Sequence, residues 1–123
     1  MLTAIFLQKQ FIVLKPISDR HRFDLVINRG LGFERVQCKS GRLIKGCIIF
    51  ATCSTMNPGK GSNGIWRKDY RGQIELFGVY CKDNNTCYLV PVNDVGTAEG
   101  KLRIEQPKNK QVAGIRMASD YLI

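Results

Sequence analysis

Arg22 to Ser40, RFDLVINRGLGFERVQCKS, is the stretch that decides the fold. It holds two runs rich in β-branched and aromatic residues, FDLVIN and FERVQCKS. Between them stands the glycine-rich turn Arg29-Gly30-Leu31-Gly32. Two such runs across so short a gap predict a β-hairpin. Side chains alternate along a strand. The pattern therefore places Phe23, Leu25 and Ile27 on one face, with Asp24 and Val26 on the other. In the second run Gln37 and Lys39 share a face, while Val36 and Cys38 point away. A hairpin of this kind gathers one carboxylate, one amide and one amine at a strand end.

That trio has a chemistry. A carboxylate oxygen is a hard ligand suited to Mg²⁺, which keeps several waters and takes only one or two protein carboxylates. A backbone carbonyl can add another ligand. An amine beside a metal-bound water can orient it, or stabilise charge on a phosphate. These are the minimum parts for hydrolysing a phosphodiester.

The pattern Asp24, twelve residues, then Gln37-Cys38-Lys39 resembles the PD-(D/E)XK nuclease superfamily. It is closest to the branch of group I intron-associated homing endonucleases, where Gln often replaces the second acidic residue. The likeness continues in order through FIVLKP (11–16), DRHRFDLVI (19–27), RVQCKS (35–40), FATCS (50–54), YRGQIELFGVYC (70–81), YLVPV (88–92) and ASDYLI (118–123). The resemblance implies an α/β (α+β) fold with a restriction-endonuclease-like core. That core is a central mixed β-sheet with flanking helices, its N-terminal helix shortened here. It implies a Mg²⁺-dependent DNA endonuclease, with Mn²⁺ as a substitute, of a mobile-intron, phage or recombination-related type. Asp24 would bind the metal with the Cys38 backbone carbonyl. Gln37 would hold water or a ligand in place, and Lys39 would position the attacking water or stabilise the phosphate.

One departure stands out. Family members carry an acidic residue on a longer first helix. Here ten residues without an acidic side chain, MLTAIFLQKQ, precede the first strand. Gln8 or Gln10 would stand near the missing charge. With Gln37 also neutral, Asp24 is the one formal anion assigned to the site, and metal affinity should suffer.

Composition sets the frame. A chain of 123 residues reads as one domain, residues 1–123. Its 44% hydrophobic and 24% charged residues fit a soluble globular protein. No run has the length of a membrane span, and the N-terminus lacks the basic region and cleavage site of a signal peptide. A cytoplasmic protein is expected. The net charge of +9, from 19 basic and 10 acidic residues, favours a polyanion as partner, most simply DNA. Five cysteines form no CxxC pair and there is one histidine, so a zinc site has little support and free thiols are expected. Cys81 and Cys87 flank a turn and could approach each other.

The rest of the chain reads as support. Residues 2–10 have helical potential, with Leu2, Ile5 and Phe6 on one face. Residues 11–16 form a strand ended by Pro16. In the loop that follows, Asp19 and His21 either assist Asp24 or belong to a solvated turn. Residues 40–46 (SGRLIKG) read as a second turn, and Cys47 to Cys53 as a strand buried on both faces. Residues 55–69 are a long basic loop with Trp66, suited to a DNA backbone or to ordinary surface duty. Ile74–Cys81 and Thr86–Val92 form a hairpin, with Glu75 a charged strand end or a late acidic contributor. A helical turn is expected near Asp94–Ala98, a strand at Leu102–Glu105, a mobile basic loop with Lys108 and Lys110, and a packed Tyr121.

Arg20, Arg22, Arg42, Lys60, Arg67 and Lys68 are the expected phosphate contacts, which would make binding salt-dependent. Cutting two strands needs two sites, so a homodimer or homotetramer is expected. The alternative is a catalytically weakened or inactive nucleic-acid-binding module on the same fold.

Overall fold

The computed structural model describes residues 2–18, 20–56, 66–104 and 116–123. Strand β1 (Ile12–Leu14) pairs antiparallel with β2 (Leu25–Asn28), and β2 with β3 (Phe33–Ile44). The central hairpin therefore forms as its sequence predicts. Its turn is pinned by the Asn28 side chain, which accepts the Gly30 N–H at 2.9 Å, and by an Arg29–Glu34 ion pair at 2.8 Å.

β3 organises the sheet. Residues 33–36 face β2, residues 36–41 lie parallel to β7 (Leu76–Cys81), and residues 42–44 meet β4 (Cys47–Ala51). β7 continues antiparallel into β8 (Thr86–Pro91), and β4 pairs with β9 (Glu99–Arg103). The seven-stranded sheet is thus mixed. A separate ribbon joins β5 (Cys53–Met56) to β6 (Trp66–Asp69).

Two faces of the sheet carry two cores. Helix α1 (Leu2–Gln8) lays Leu2 and Phe6 against Leu25, Ile27, Val36, Leu76, Cys87 and Leu89. It sits close because Gly78 lies below it: a Cβ there would stand 3.1 Å from Val36 and 3.5 Å from Leu2. The opposite face packs Tyr70, Phe77, Val79, Tyr88, Val90 and Leu102 with Ile48 and Phe50. Among the described residues α1 is the one α-helix. Two 3-10 turns, Val92–Asp94 and Ala118–Tyr121, complete the cover. The Tyr121 hydroxyl donates to Asp94 at 2.9 Å.

Residues 55–56 and 66–69, expected as part of a loop, belong to the β5–β6 ribbon, and the sequence expectations for four other stretches need correction. Residues 40–46 are not a loop: β3 runs through Ile44, and only Lys45 and Gly46 turn, both at positive φ (50° and 75°). Such a two-residue turn matches the twist of a hairpin. Gly41 serves packing instead, since a Cβ there would come within 2.7 Å of Ile48 and 3.0 Å of Val79. The predicted strand over 47–53 is interrupted at Thr52, whose side chain turns to the Gly96 carbonyl. The expected helical turn after Asp94 falls earlier, at Val92–Asp94, and the late strand begins at Glu99 rather than Leu102. Fourthly, Phe23 does not share a face with Leu25 and Ile27. It packs against the opposite core.

The five cysteines are free, Cys81 and Cys87 included. Among the described residues no helix is long and apolar enough to cross a membrane.

Candidate active site

The displacement of Phe23 has a local cause. Leu25 lies opposite Val36 in the ladder, yet the N–H of Asp24 also reaches the Val36 carbonyl, at 2.8 Å. Two residues of one strand thus answer to one of the other, which is a β-bulge. Bulges break the alternation and re-aim side chains. Here β2 ends, and along that edge β3 runs on past its partner. The Cys38 N–H, left without a strand carbonyl, donates to Asp24 Oδ2 at 2.9 Å. The carboxylate thus sits in the notch where the two strands part.

Asp24 is exposed and enters no ion pair. Among the described residues the ion pairs are Arg29–Glu34 and Arg35–Glu75. The carboxylate lines a concavity of about 400 Å³ with Thr3, Lys15, Ser18, His21, Phe23 and Cys38. A second concavity of about 240 Å³ adjoins it, sharing Thr3 and Cys38 and reaching Lys39, Ser40 and Tyr80. Burial, and then the charge of Asp24, push the Cys38 thiol up to about 11. This sulfur stays protonated at neutral pH and is no thiolate ligand.

Lys39 and Gln37 take the opposite side of β3 from Val36 and Cys38, as alternation requires. The Lys39 ammonium donates to the Tyr70 hydroxyl at 3.4 Å and lies 4.9 Å from the ring centroid. Arg22 covers the same ring, its guanidinium carbon 3.9 Å from the centroid. Its Nη2 donates to the carbonyls of Lys68 (3.1 Å) and Asp69 (2.9 Å). Tyr70, 5% exposed and edge-on to Phe77, is the fixed post of this arrangement. Gln37 is half-buried, level with Phe77 in the ladder.

The expected phosphate contacts scatter. Arg20, Arg42 and Lys68 are exposed. Arg22 is half-buried and engaged as described. Arg67 lies in β6, its side chain outside the described residues, as is that of Trp66. Lys60, Asp19, Lys108 and Lys110 also fall outside them. Glu75 is the charged strand end, not a neighbour of Asp24: it accepts the Arg35 N–H at 2.7 Å and its Nε at 3.0 Å. The Arg35 guanidinium holds the Glu75 carboxyl below its ordinary range.

Sequence reasoning missed Thr3, Lys15 and Tyr70. Gln8 and Gln10 are exposed and line neither concavity; the helix residue that lines both is Thr3. Among the described residues no group of three or more His, Cys, Asp or Glu side chains converges on one metal position.

A β-hairpin bearing Asp on one strand and Gln-X-Lys on the next, with a helix laid across it, defines a nuclease-type core. The chain belongs to the PD-(D/E)XK endonuclease family, whose profile matches residues 1–123. Its α+β fold is similar to that of the bacterial homing endonuclease I-Ssp6803I. The TM-score is 0.71 and the identity 22%, over 98% of this chain and 82% of that one. No curated protein gives a significant match.

Proposed function

We propose that this chain is a divalent-metal-dependent DNA endonuclease, with Mg²⁺ the expected ion and Mn²⁺ its substitute. The observation that carries the reading is Asp24, an exposed carboxylate in a notch beside the motif strand, without a cationic partner among the described residues. One of its oxygens is held by the Cys38 N–H and the other takes no hydrogen bond among the described residues. That donor set fits an ion that keeps most of its waters and needs one or two carboxylates.

In this reading Asp24 and the Cys38 carbonyl would hold the ion, which when bound would supply charge stabilisation at the phosphate and lower the pKa of a water. Asp24 is oriented for the role by the Cys38 N–H. Gln37 would hold water or a ligand in place from the opposite side of β3. Lys39, its ammonium held by Tyr70 on the other side of β3 from the Asp24 concavity, would have to reach round the strand edge to orient the attacking water or stabilise charge on the phosphate. Arg20, Arg42 and Lys68, with Lys60 and Arg67, would neutralise backbone phosphates. Cutting both strands needs two copies, so a homodimer or homotetramer is the working form. A mobile-element type of enzyme agrees with the structural neighbour. A cytoplasmic location agrees with five free cysteines.

A second reading is a nucleic-acid-binding module with weakened chemistry. The lone carboxylate of the site favours it. Supercoiled plasmid at low salt with Mg²⁺ or Mn²⁺ separates the two. Metal-dependent nicking by the native chain, lost in Asp24→Ala and Lys39→Ala, is the expected result. Salt-sensitive binding in all three proteins with nicking in none would leave only the binding module.

A further inference from the structure

We infer that the larger concavity beside Asp24 seats a phosphate oxyanion of a nucleic-acid strand, with Lys15 as its counter-charge and Ser18 and His21 as its flanking donors. The inference rests on the nuclease reading and adds to it a substrate-phosphate site that the Gln-X-Lys motif does not supply.

The placement follows from strand register. Leu14 lies opposite Val26 in the β1–β2 ladder. The next residue, Lys15, therefore runs alongside Leu25 and the bulge at Asp24. Val13, two residues earlier on the same side, packs into the core beneath α1. Alternation turns Lys15 to that side also, and Lys15 lines the concavity with Thr3 and Asp24. The ammonium is exposed and enters no ion pair among the described residues. Its charge is nevertheless felt at the Cys38 sulfur.

An ammonium and a carboxylate thus line one concavity of about 400 Å³ without closing on each other. That volume lies within the range of small-molecule sites. Held apart, the two charges suit a ligand with a cationic and an anionic part. A hydrated divalent ion at Asp24 and a phosphate at Lys15 satisfy both at once.

The neighbours supply directional contacts. Ser18 Oγ accepts the Arg20 N–H at 3.2 Å, so its own hydroxyl proton is left to donate. His21 is stacked on Phe23, centroids 5.3 Å apart and planes 21° from parallel. The stack fixes the imidazole at the wall of the concavity. The motif lysine cannot take the place of Lys15 in this geometry, because its ammonium is held at Tyr70 on the other side of β3.

Two measurements on the intact chain test the site. The first titrates inorganic phosphate at constant ionic strength and follows backbone amide resonances. Saturable shifts at Ser18, His21 and Leu25 are expected, lost in Lys15→Ala and kept in Lys15→Arg. The second measures duplex DNA binding in Ca²⁺ over a range of salt. Lys15→Ala should lower the log–log salt slope by about one and weaken binding several-fold. Lys101→Ala, an exposed change on β9, should alter neither. Unchanged melting of each variant confirms that folding is not the cause.

The inference is overturned if phosphate gives no saturable shifts, or if the shifts survive in Lys15→Ala. DNA bound and cut with no dependence on Lys15 overturns it while the nuclease reading stands. Lys15-dependent phosphate shifts in a chain that binds no DNA would leave an oxyanion site, overturn its assignment to a nucleic-acid strand and remove the nuclease reading.

Discussion

Asp24 has two duties in this structure, and a pair of substitutions separates them. As an acceptor it satisfies the Cys38 N–H at 2.9 Å. As a charge it is the carboxylate proposed to hold the metal. Asp24→Asn keeps an oxygen for Cys38 but removes the charge. Asp24→Ala removes both. A backbone N–H left without a partner costs about 1–3 kcal/mol. Cys38 is half-buried, so water restores part of this and about 1.5 kcal/mol is the working figure. For a chain of this size that lowers the melting temperature by about 6 °C. Exchanging a charged for a neutral acceptor at an exposed site costs about 0.5 kcal/mol, or about 2 °C.

Cleavage responds otherwise. If the metal contributes several kcal/mol at the phosphate, losing about 3 of them slows the reaction roughly 100-fold. Both variants should therefore be equally inactive on plasmid in Mg²⁺, while thermal unfolding ranks native above Asn above Ala. Cleavage by Asp24→Asn close to the native rate would refute the metal role. Equal melting temperatures for native and Asp24→Ala would refute the structural one.

Other perturbations have equally definite outcomes. Tyr70→Phe keeps the ring under Arg22 and Lys39 and removes only the 3.4 Å contact. Plasmid cleavage should fall about 5-fold, for about 1 kcal/mol, with the melting temperature nearly unchanged. Gly41→Ala forces a methyl against Ile48 and Val79, and chemical denaturation should show a loss of about 1–3 kcal/mol. Glu75 is held below its ordinary range by Arg35. Its stabilising contribution is therefore complete above its unfolded pKa, near 4.3, and is lost as pH falls through the lower folded value. The pair is more than a third exposed, so the effect is under about 1 kcal/mol. Glu75→Gln should flatten the stability curve between pH 5 and 3 by about that amount. Thr3→Glu places a carboxylate on the wall that both concavities share. Calorimetry should show Mn²⁺ bound about 10-fold more tightly, since ligand charge sets divalent affinity.

Much of this fold is written in local pattern. The alternation in FDLVIN and FERVQCKS and the glycines between them specify a hairpin at whatever position it occupies in the sheet. The same holds for the β7–β8 hairpin and for Leu2, Ile5 and Phe6 on α1. Gly41 was misleading because a glycine chosen for close packing looks, in sequence, like one chosen for a turn. Only the approach of Ile48 and Val79, from strands later in the chain, tells them apart. The bulge at Asp24 was invisible for a related reason: alternation assumes an unbroken ladder, and nothing in RFDLV marks the break. In the site, Asp24, Gln37 and Lys39 follow from the motif. Tyr70 reaches Lys39 from 31 residues away, and Lys15 and Thr3 join Asp24 through register and helix docking. Such contacts leave no periodic trace. The charge of +9 pointed to a polyanion but could not single out Lys15 among 19 basic residues.

β3 is clasped by three partners: β2 over its first residues, β7 in parallel through its middle, β4 at its end. Gln37, Cys38 and Lys39 lie in the stretch joined to β7, whose pairing closes a loop of some forty residues. Fraying of α1 or β1 does not release that stretch. Hydrogen exchange at Gln37 and Lys39, whose backbone groups face β7, should therefore proceed mainly by opening of the whole sheet, and these amides should be among the slowest, whereas the Cys38 N–H, held by the exposed Asp24, should exchange sooner. Parallel pairing over such a separation is also slow to form. The motif strand is thus held by a pairing that forms only as the sheet assembles and opens only as the sheet comes apart.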